Sequence, residues 1–188
     1  MVRTVREIPP GGPAPYPEAD ASDERLKDGT PVRLRPILQD EGPRLLALYD
    51  RLSSESLYFR FFAVPDKDRG RADYLAQVDY TARYALVAEI GGEIGGVARW
   101  ERSLTDPSRA EVAFTVADDL QGKGLGSLLF RRLARLARAR GIATFEAEVM
   151  PDNEKMLRVF ERSSLAQTSR PDPPALHIEI VLGDGPAA

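Results

Sequence analysis

The chain has 188 residues, with 26 basic and 29 acidic side chains and a formal net charge of -3. That is length enough for one domain with a buried core, and it lacks the positive surplus of a general nucleic-acid binder. There is no cysteine, which excludes disulfides, thiolate zinc sites and a cysteine nucleophile, and a single histidine, His177, which excludes a histidine-rich metal site.

Arg3 and Arg6 precede Ile8-Pro9-Pro10-Gly11-Gly12, where a secretory signal would need an apolar core. No apolar run reaches the length of a membrane span. A cytoplasmic protein is expected, with neither membrane nor nucleic acid as partner. Residues 1–24 hold five prolines and two glycines among small polar residues, which predicts a loose arm. Leu26 and Asp28-Gly29-Thr30 predict a hairpin turn into the alternating strand Val32-Arg33-Leu34-Arg35, which Pro36 limits. Residues 40–52 predict an amphipathic helix with Leu45, Leu48, Tyr49 and Leu52 inward and Gly42-Pro43 in its first turn. Tyr58, Phe59, Phe61 and Phe62 are too dense for one helix face. Core packing alone fits them, and so does a division between core and cleft. Residues 66–78 predict a second helix, with Tyr74, Leu75 and Val78 inward.

The period then changes to two. Residues 84–90 and 94–100 predict paired strands around the turn Gly91-Gly92-Glu93. Residues 109–116 predict a further strand. A helix over 127–140 places Leu129, Leu133 and Leu136 beside Phe130, Ala134 and Ala137, and Gly141 stops it. A strand over 144–149, a helix over 152–162 and a strand over 176–182 follow. Pro171-Asp172-Pro173-Pro174 punctuates the approach to the last. These elements make one α/β domain over 25–183, with a short tail at 184–188.

Gln121-Gly122-Lys123-Gly124-Leu125-Gly126 joins the strand at 109–116 to the helix that begins near Ser127. Glycines remove the Cβ atoms that would block a ligand, and the amides at the start of the helix are left unpaired, facing an anion. A pyrophosphate is the ligand that suits them. A Walker loop is excluded, because Lys123 sits inside the glycine run rather than after it. A dinucleotide fingerprint is excluded too, because Gly122, Gly124 and Gly126 run G-x-G-x-G and come late in the chain.

The order of elements, together with Q-G-K-G-L-G, resembles the GCN5-related N-acetyltransferase (GNAT) superfamily. Asn153, the helix carrying Met156, and the turn at Ser164-Leu165 are similar to its second motif. Residues 26–36, 54–62 and 110–121 resemble segments of bacterial protein lysine acetyltransferases. The resemblance implies a central mixed, splayed β-sheet flanked by helices. It implies acetyl-CoA as cofactor, its pantetheine arm between the strands at 109–116 and 144–149. Its pyrophosphate would lie on Gln121, Gly122, Lys123, Gly124, Leu125, Gly126 and Ser127. Phe114, Thr115 and Val116 would line the thioester, with Asn153, Met156 and Phe160 on the far side; Arg131 and Arg132 are candidates for the outer phosphate. Glu111 is the implied general base, and Glu89, Glu101, Glu146 and Glu148 are fallback carboxylates. Phe160 stands seven residues after Asn153, where much of the superfamily has a proton-donating tyrosine; phenylalanine has no proton to give. Ser163 and Ser164 are candidates for ordering a water, and His177 is expected to be structural.

The function implied is direct acetyl transfer to a lysine of a protein, metabolic enzymes among the acceptors. Acetylation of a small amine or amino acid is the alternative within enzymes. A silent acyl-CoA-binding or interaction domain is the alternative outside them.

Overall fold

The computed structural model describes residues 14–64 and 68–183. Its strands are β1 (Ser22–Arg25), β2 (Pro31–Pro36), β3 (Arg83–Ile90), β4 (Glu93–Arg102), β5 (Arg109–Val116), β6 (Thr144–Val149), β7 (Gln167–Asp172) and β8 (Ala175–Val181). Its helices are α1 (Gly42–Asp50), α2 (Ser54–Phe61), α3 (Arg69–Ala76), α4 (Leu125–Ala139) and α5 (Glu154–Glu161). The strands form one sheet in the order β1-β2-β3-β4-β5-β6-β8-β7. Every neighbouring pair is antiparallel except β5 and β6, which are parallel and joined by the crossover helix α4.

Strand alternation divides the helices between the two faces. On β4, Trp100 points to the α4 side: it is fully buried, stacks on Tyr84 at 4.3 Å and lies under the Arg140 guanidinium. Its neighbour Arg99 points the other way and donates to the Leu75 carbonyl of α3 at 3.1 Å. Helix α4 buries Leu125, Leu128, Leu129, Phe130, Leu133, Leu136 and Ala137 against the sheet. Each such leucine contributes about 1.5–3 kcal/mol of burial. On the opposite face Gly42 lets α1 approach α3, since a Cβ there would lie 2.8 Å from the Cα of Asp73.

The two-residue periodicities hold as strands, and the amphipathic stretches hold as helices. Several boundaries differ from expectation. Residues 14–24 do not belong to a loose arm. Tyr16 donates to the Pro36 carbonyl at 3.0 Å, β1 pairs with β2, and Asp20 accepts from Tyr84 at 2.8 Å and from Arg140. Apolar surface alone is scarce here, but buried polar partners supplied by distant residues hold the segment. The remaining arm, 1–13, and the tail, 184–188, lie outside the described residues, as does part of the helix expected over 66–78. Strand β7 was not expected: it is exposed along its whole length and polar, so it carries no alternation, and Pro171 marks it as an edge strand. The dense aromatics fall on α2 and its C-cap Phe62.

Candidate active site

The parallel pair is short. Arg109 pairs with Thr144, Ala110 with Phe145 and Glu111 with Glu146, and there the pairing stops, although β5 runs on to Val116 and β6 to Val149. The strands diverge into a V with Glu111 and Glu146 at its apex. Among the described residues, the facing edges of Val112–Val116 and Ala147–Val149 have no strand partner. On the α4 side of this stretch, Phe114, Phe130 and Phe160 pack ring against ring at 5.4–6.2 Å.

The end of β5 leads through Asp118–Leu120 into the glycine loop and α4. Gly122 and Gly124 have φ of +76° and +90°, a conformation that side-chain-bearing residues adopt only with strain, and a Cβ on either would meet nothing within 4 Å. Gly124 is the N-cap of α4, with no side-chain cap. Among the described residues, no protein group accepts from the amides of residues 122–127, and Leu128 is the first to donate, to the Gly124 carbonyl at 3.0 Å. Open amides, empty space above the glycines and the positive end of a fifteen-residue helix fit a pyrophosphate.

The loop is braced from α2. Ser53 caps that helix, and its amide donates to Asp118 Oδ2 at 3.0 Å. Ser56 Oγ donates to Asp118 Oδ1 at 2.7 Å. Gln121 Nε2 donates to Asp118 Oδ1 at 2.9 Å and to the Val116 carbonyl at 3.1 Å, while its Oε1 accepts from Lys155 at 2.7 Å. Burial acts to raise the Asp118 carboxyl, but the hydrogen bonds from Ser56 and Ser53 outweigh it and hold its pKa below the usual value. Gln121 is therefore a clamp for the loop rather than a side-chain ligand.

On the face opposite α4, register lines up four glutamates across four strands: Glu101, Glu111, Glu146 and Glu179. Arg109 holds two of them, Glu146 at 2.5 Å and Glu179 at 2.7 Å. His177 Nδ1 lies 2.6 Å from Glu148, two residues beyond the apex on β6. Glu146, His177 and Glu179 are close enough to share a cation, but the Arg109 guanidinium already lies against both carboxylates. His177 thus has a charged partner that the sequence did not indicate, because the two are 29 residues apart and meet only through the β6–β8 register. Glu111 is half-buried; burial pushes the pKa of Arg60 on α2 below its ordinary value, and the nearby Tyr49 and Glu111 only partly oppose this.

The structure redistributes the remaining candidates. Asn153 caps α5, its side chain accepting from the Met156 amide at 3.2 Å. Phe160 is 1% exposed and belongs to the aromatic core, so it is not placed to touch a cofactor. Met156 is half-buried against that core. Thr115 is buried on the Glu111 face, and its hydroxyl has no hydrogen-bond partner among the described residues. Leu125 is an apolar anchor, 1% exposed; its contribution to the loop is its amide. Lys123 is exposed and Ser127 half-buried. Arg132 donates to the Asp20 carbonyl at 2.9 Å, which engages it away from the loop, while Arg131 is exposed. Ser163 donates to the Phe160 carbonyl and accepts from the Leu165 amide, closing α5 rather than ordering a water. Glu89 is bound by Arg35 and Arg44 on the β2 side of the sheet, which removes it from the fallback bases.

Comparison with known proteins gives one answer. The Acetyltransferase (GNAT) family matches residues 46–164. The chain is 37% identical over 140 residues to Acetyltransferase Pat of Mycolicibacterium smegmatis, covering 73% of this chain and 42% of that protein. It is 33% identical over 129 residues to Acetyltransferase PA5475 of Pseudomonas aeruginosa, covering 66% of this chain and 69% of that protein. The crystal structure of the GNAT domain of S. lividans PAT superposes with a TM-score of 0.81 at 36% identity, over 87% of this chain and 98% of that one. The chain spans less than half the length of the M. smegmatis protein. With residues 46–164 matched and the splayed sheet in place, the chain belongs to the GNAT acetyltransferase family.

Proposed function

We propose that this protein transfers the acetyl group of acetyl-CoA to a lysine side chain of a protein acceptor. The observation that carries this reading is the V between β5 and β6, with Glu111 at its apex and six open amides, 122–127, at its far end. Acetyl-CoA supplies an activated thioester. The amides of the loop hold its pyrophosphate, and the free edges of β5 and β6 receive its extended arm. The reacting end then falls toward Glu111 rather than toward the loop. A lysine near its ordinary pKa of roughly 10.4 is charged at neutral pH, so Glu111 takes its proton before the amine forms the new C–N bond. The thiolate leaves as the C–S bond breaks. The side chain at the usual donor position is Phe160, so solvent takes the second proton from the acylated nitrogen and supplies one to the thiolate. The resemblance of residues 26–36, 54–62 and 110–121 to segments of bacterial protein lysine acetyltransferases supports a protein acceptor. We take residues 25–183 as the body of the domain, and the pairing of β1 with β2 supports counting Ser22–Glu24 with it. Among the described residues no helix is long and apolar enough to cross a membrane, in keeping with a cytoplasmic site of action.

Glu111→Gln tests the reading. It keeps shape and loses the base. Acetyl-CoA affinity is expected to persist while turnover on a lysine peptide falls by about a hundredfold or more, the scale of general-base loss. A variant with the wild-type rate from pH 6 to 10 shifts the role to Glu148 or Glu101.

A further inference from the structure

Four arginines converge on the Glu111 face from four elements: Arg60 on α2, Arg71 on α3, Arg83 on β3 and Arg99 on β4. They are not neutralised in the usual way. Among the described residues, none of them forms a salt bridge, although ion pairs hold Arg33, Arg35, Arg44, Arg51, Arg109 and Arg140 elsewhere. Arg83 is the extreme case. It is 3% exposed, and Nε, Nη1 and Nη2 are all buried without a hydrogen-bond partner. Its guanidinium carbon lies 4.6 Å from the centre of the Tyr74 ring, and its amide donates to Asp79 Oδ1 at 2.9 Å. Arg99 is 8% exposed and spends Nη1 on the Leu75 carbonyl. Burial, with Arg60 and Arg83 nearby, pushes its pKa down to about 10. Arg60 and Arg71 flank the Phe61 ring at 4.7 and 5.3 Å. Register places Arg83 opposite Glu101, and Arg99 opposite Ala113, one same-face step from Glu111.

A buried guanidinium whose three nitrogens lack partners is costly and calls for an explanation, and a bound anion is one that would satisfy all three. Here the group lies beside the base, on the face that an acceptor must approach. We propose that Arg83 and Arg99, with Arg60 at the rim, form an oxyanion subsite that receives a carboxylate of the acceptor next to the lysine to be acetylated. The planar guanidinium fork matches a carboxylate in two-point contact, and the three side-chain nitrogens of Arg83 have no hydrogen-bond partner among the described residues. Glu101 and Glu111 are the anionic side chains that face the cluster from the sheet, and they repel the acceptor's carboxylate toward the arginines and away from the base. This assignment rests on the lysine-acceptor reading above and adds sequence preference to it.

The test separates the two. A lysine-centred peptide with glutamate on either side is compared with its glutamine and phosphoserine counterparts, using wild-type protein, Arg83→Met and Arg99→Gln. The wild type is expected to favour the glutamate peptide in kcat/KM by about tenfold or more, the scale of one charge-assisted hydrogen bond. In both variants that ratio falls toward one. A peptide with norleucine in place of lysine carries the glutamates but no amine. Calorimetry should show it binding the wild type and not Arg83→Met, even if no lysine peptide is acetylated. Arg83→Met should also raise the melting temperature, since it removes an unpaired buried charge. Three results overturn the proposal: no discrimination by the wild type, an unchanged ratio in both variants, or preference for phosphoserine alone. A fall in melting temperature for Arg83→Met also counts against it, because the arginine would then serve the fold.

Discussion

Gly126→Ala isolates the anion site from the fold. Gly126 is the second residue of α4, where alanine is favoured over glycine by about 1 kcal/mol. A Cβ built on it comes 3.4 Å from Val159 Cγ2 of α5, an ordinary contact, so the domain should be as stable or slightly more stable. The methyl projects toward Val159 of α5, beside the amides of Gly126 and Ser127. An anion seated on the amides of Gly126 and Ser127 must then move outward and lose at least one hydrogen bond to its charge. Such a bond contributes about 1.5–3 kcal/mol, so acetyl-CoA affinity should fall about 10- to 150-fold. Gly124→Ala behaves differently: it forces a side chain into φ +90°, at a cost of about 1 kcal/mol or more, and should lose both stability and affinity. Calorimetric titration with acetyl-CoA, paired with thermal melting, reads both quantities. Wild-type affinity in a fully folded Gly126→Ala protein would refute the placement of the phosphates on these amides.

Glu41 is 5% exposed and bound by both Arg35 and Arg44. Burial acts to raise its pKa, but the bonds from Arg35, the Leu38 amide and Arg44 outweigh this and lower it, so its stabilisation is complete above pH of about 4.5 and is lost as pH falls through the depressed folded value. Glu41→Gln should cost about 3 kcal/mol at pH 7 and much less at pH 3, read by denaturant melts; an equal loss at both pH values contradicts the ion-pair account. Phe160→Tyr buries a hydroxyl among Phe114 and Phe130, should destabilise by about 1–3 kcal/mol and should not raise turnover; a rate gain without loss of stability would show that a missing acid limits the reaction. His177→Asn removes the partner of Glu148 and should lower kcat by less than Glu111→Gln does; a larger loss would make the His177–Glu148 pair the principal proton acceptor.

What the sequence revealed follows the range over which each signal acts. The hairpin of β3 and β4 was legible because alternation and Gly91-Gly92 are local. The glycine loop was legible because its spacing is local too, although the helix starts at Leu125, since Gly124 is its left-handed N-cap. Strand β7 was not legible, because it buries nothing. Asp20 shows why the arm was misplaced: its partners are 64 and 120 residues away. The roles of Asp118 and Ser56 in bracing the loop depend on α2 meeting the end of β5, which no spacing records. The arginine cluster is the extreme instance, since four elements each supply one residue and none of the four is unusual in its own segment.

The eight-stranded sheet is continuous in name only. Three residue pairs tie β5 to β6, whereas β3 and β4 share eight. Mechanically the protein is a large antiparallel leaf and a small one, β6 to β8, stitched at one corner and spanned by α4. Thermal breathing will concentrate at that stitch, where fewest backbone bonds must open. An occupant of the gap would act as a splint, adding contacts to both leaves beyond those that Arg109 and the Phe114–Phe130–Phe160 cluster already make. Arg109, reaching from β5 to Glu146 and Glu179, is a second stitch at the same corner, so the far ends of the two leaves keep the greatest freedom.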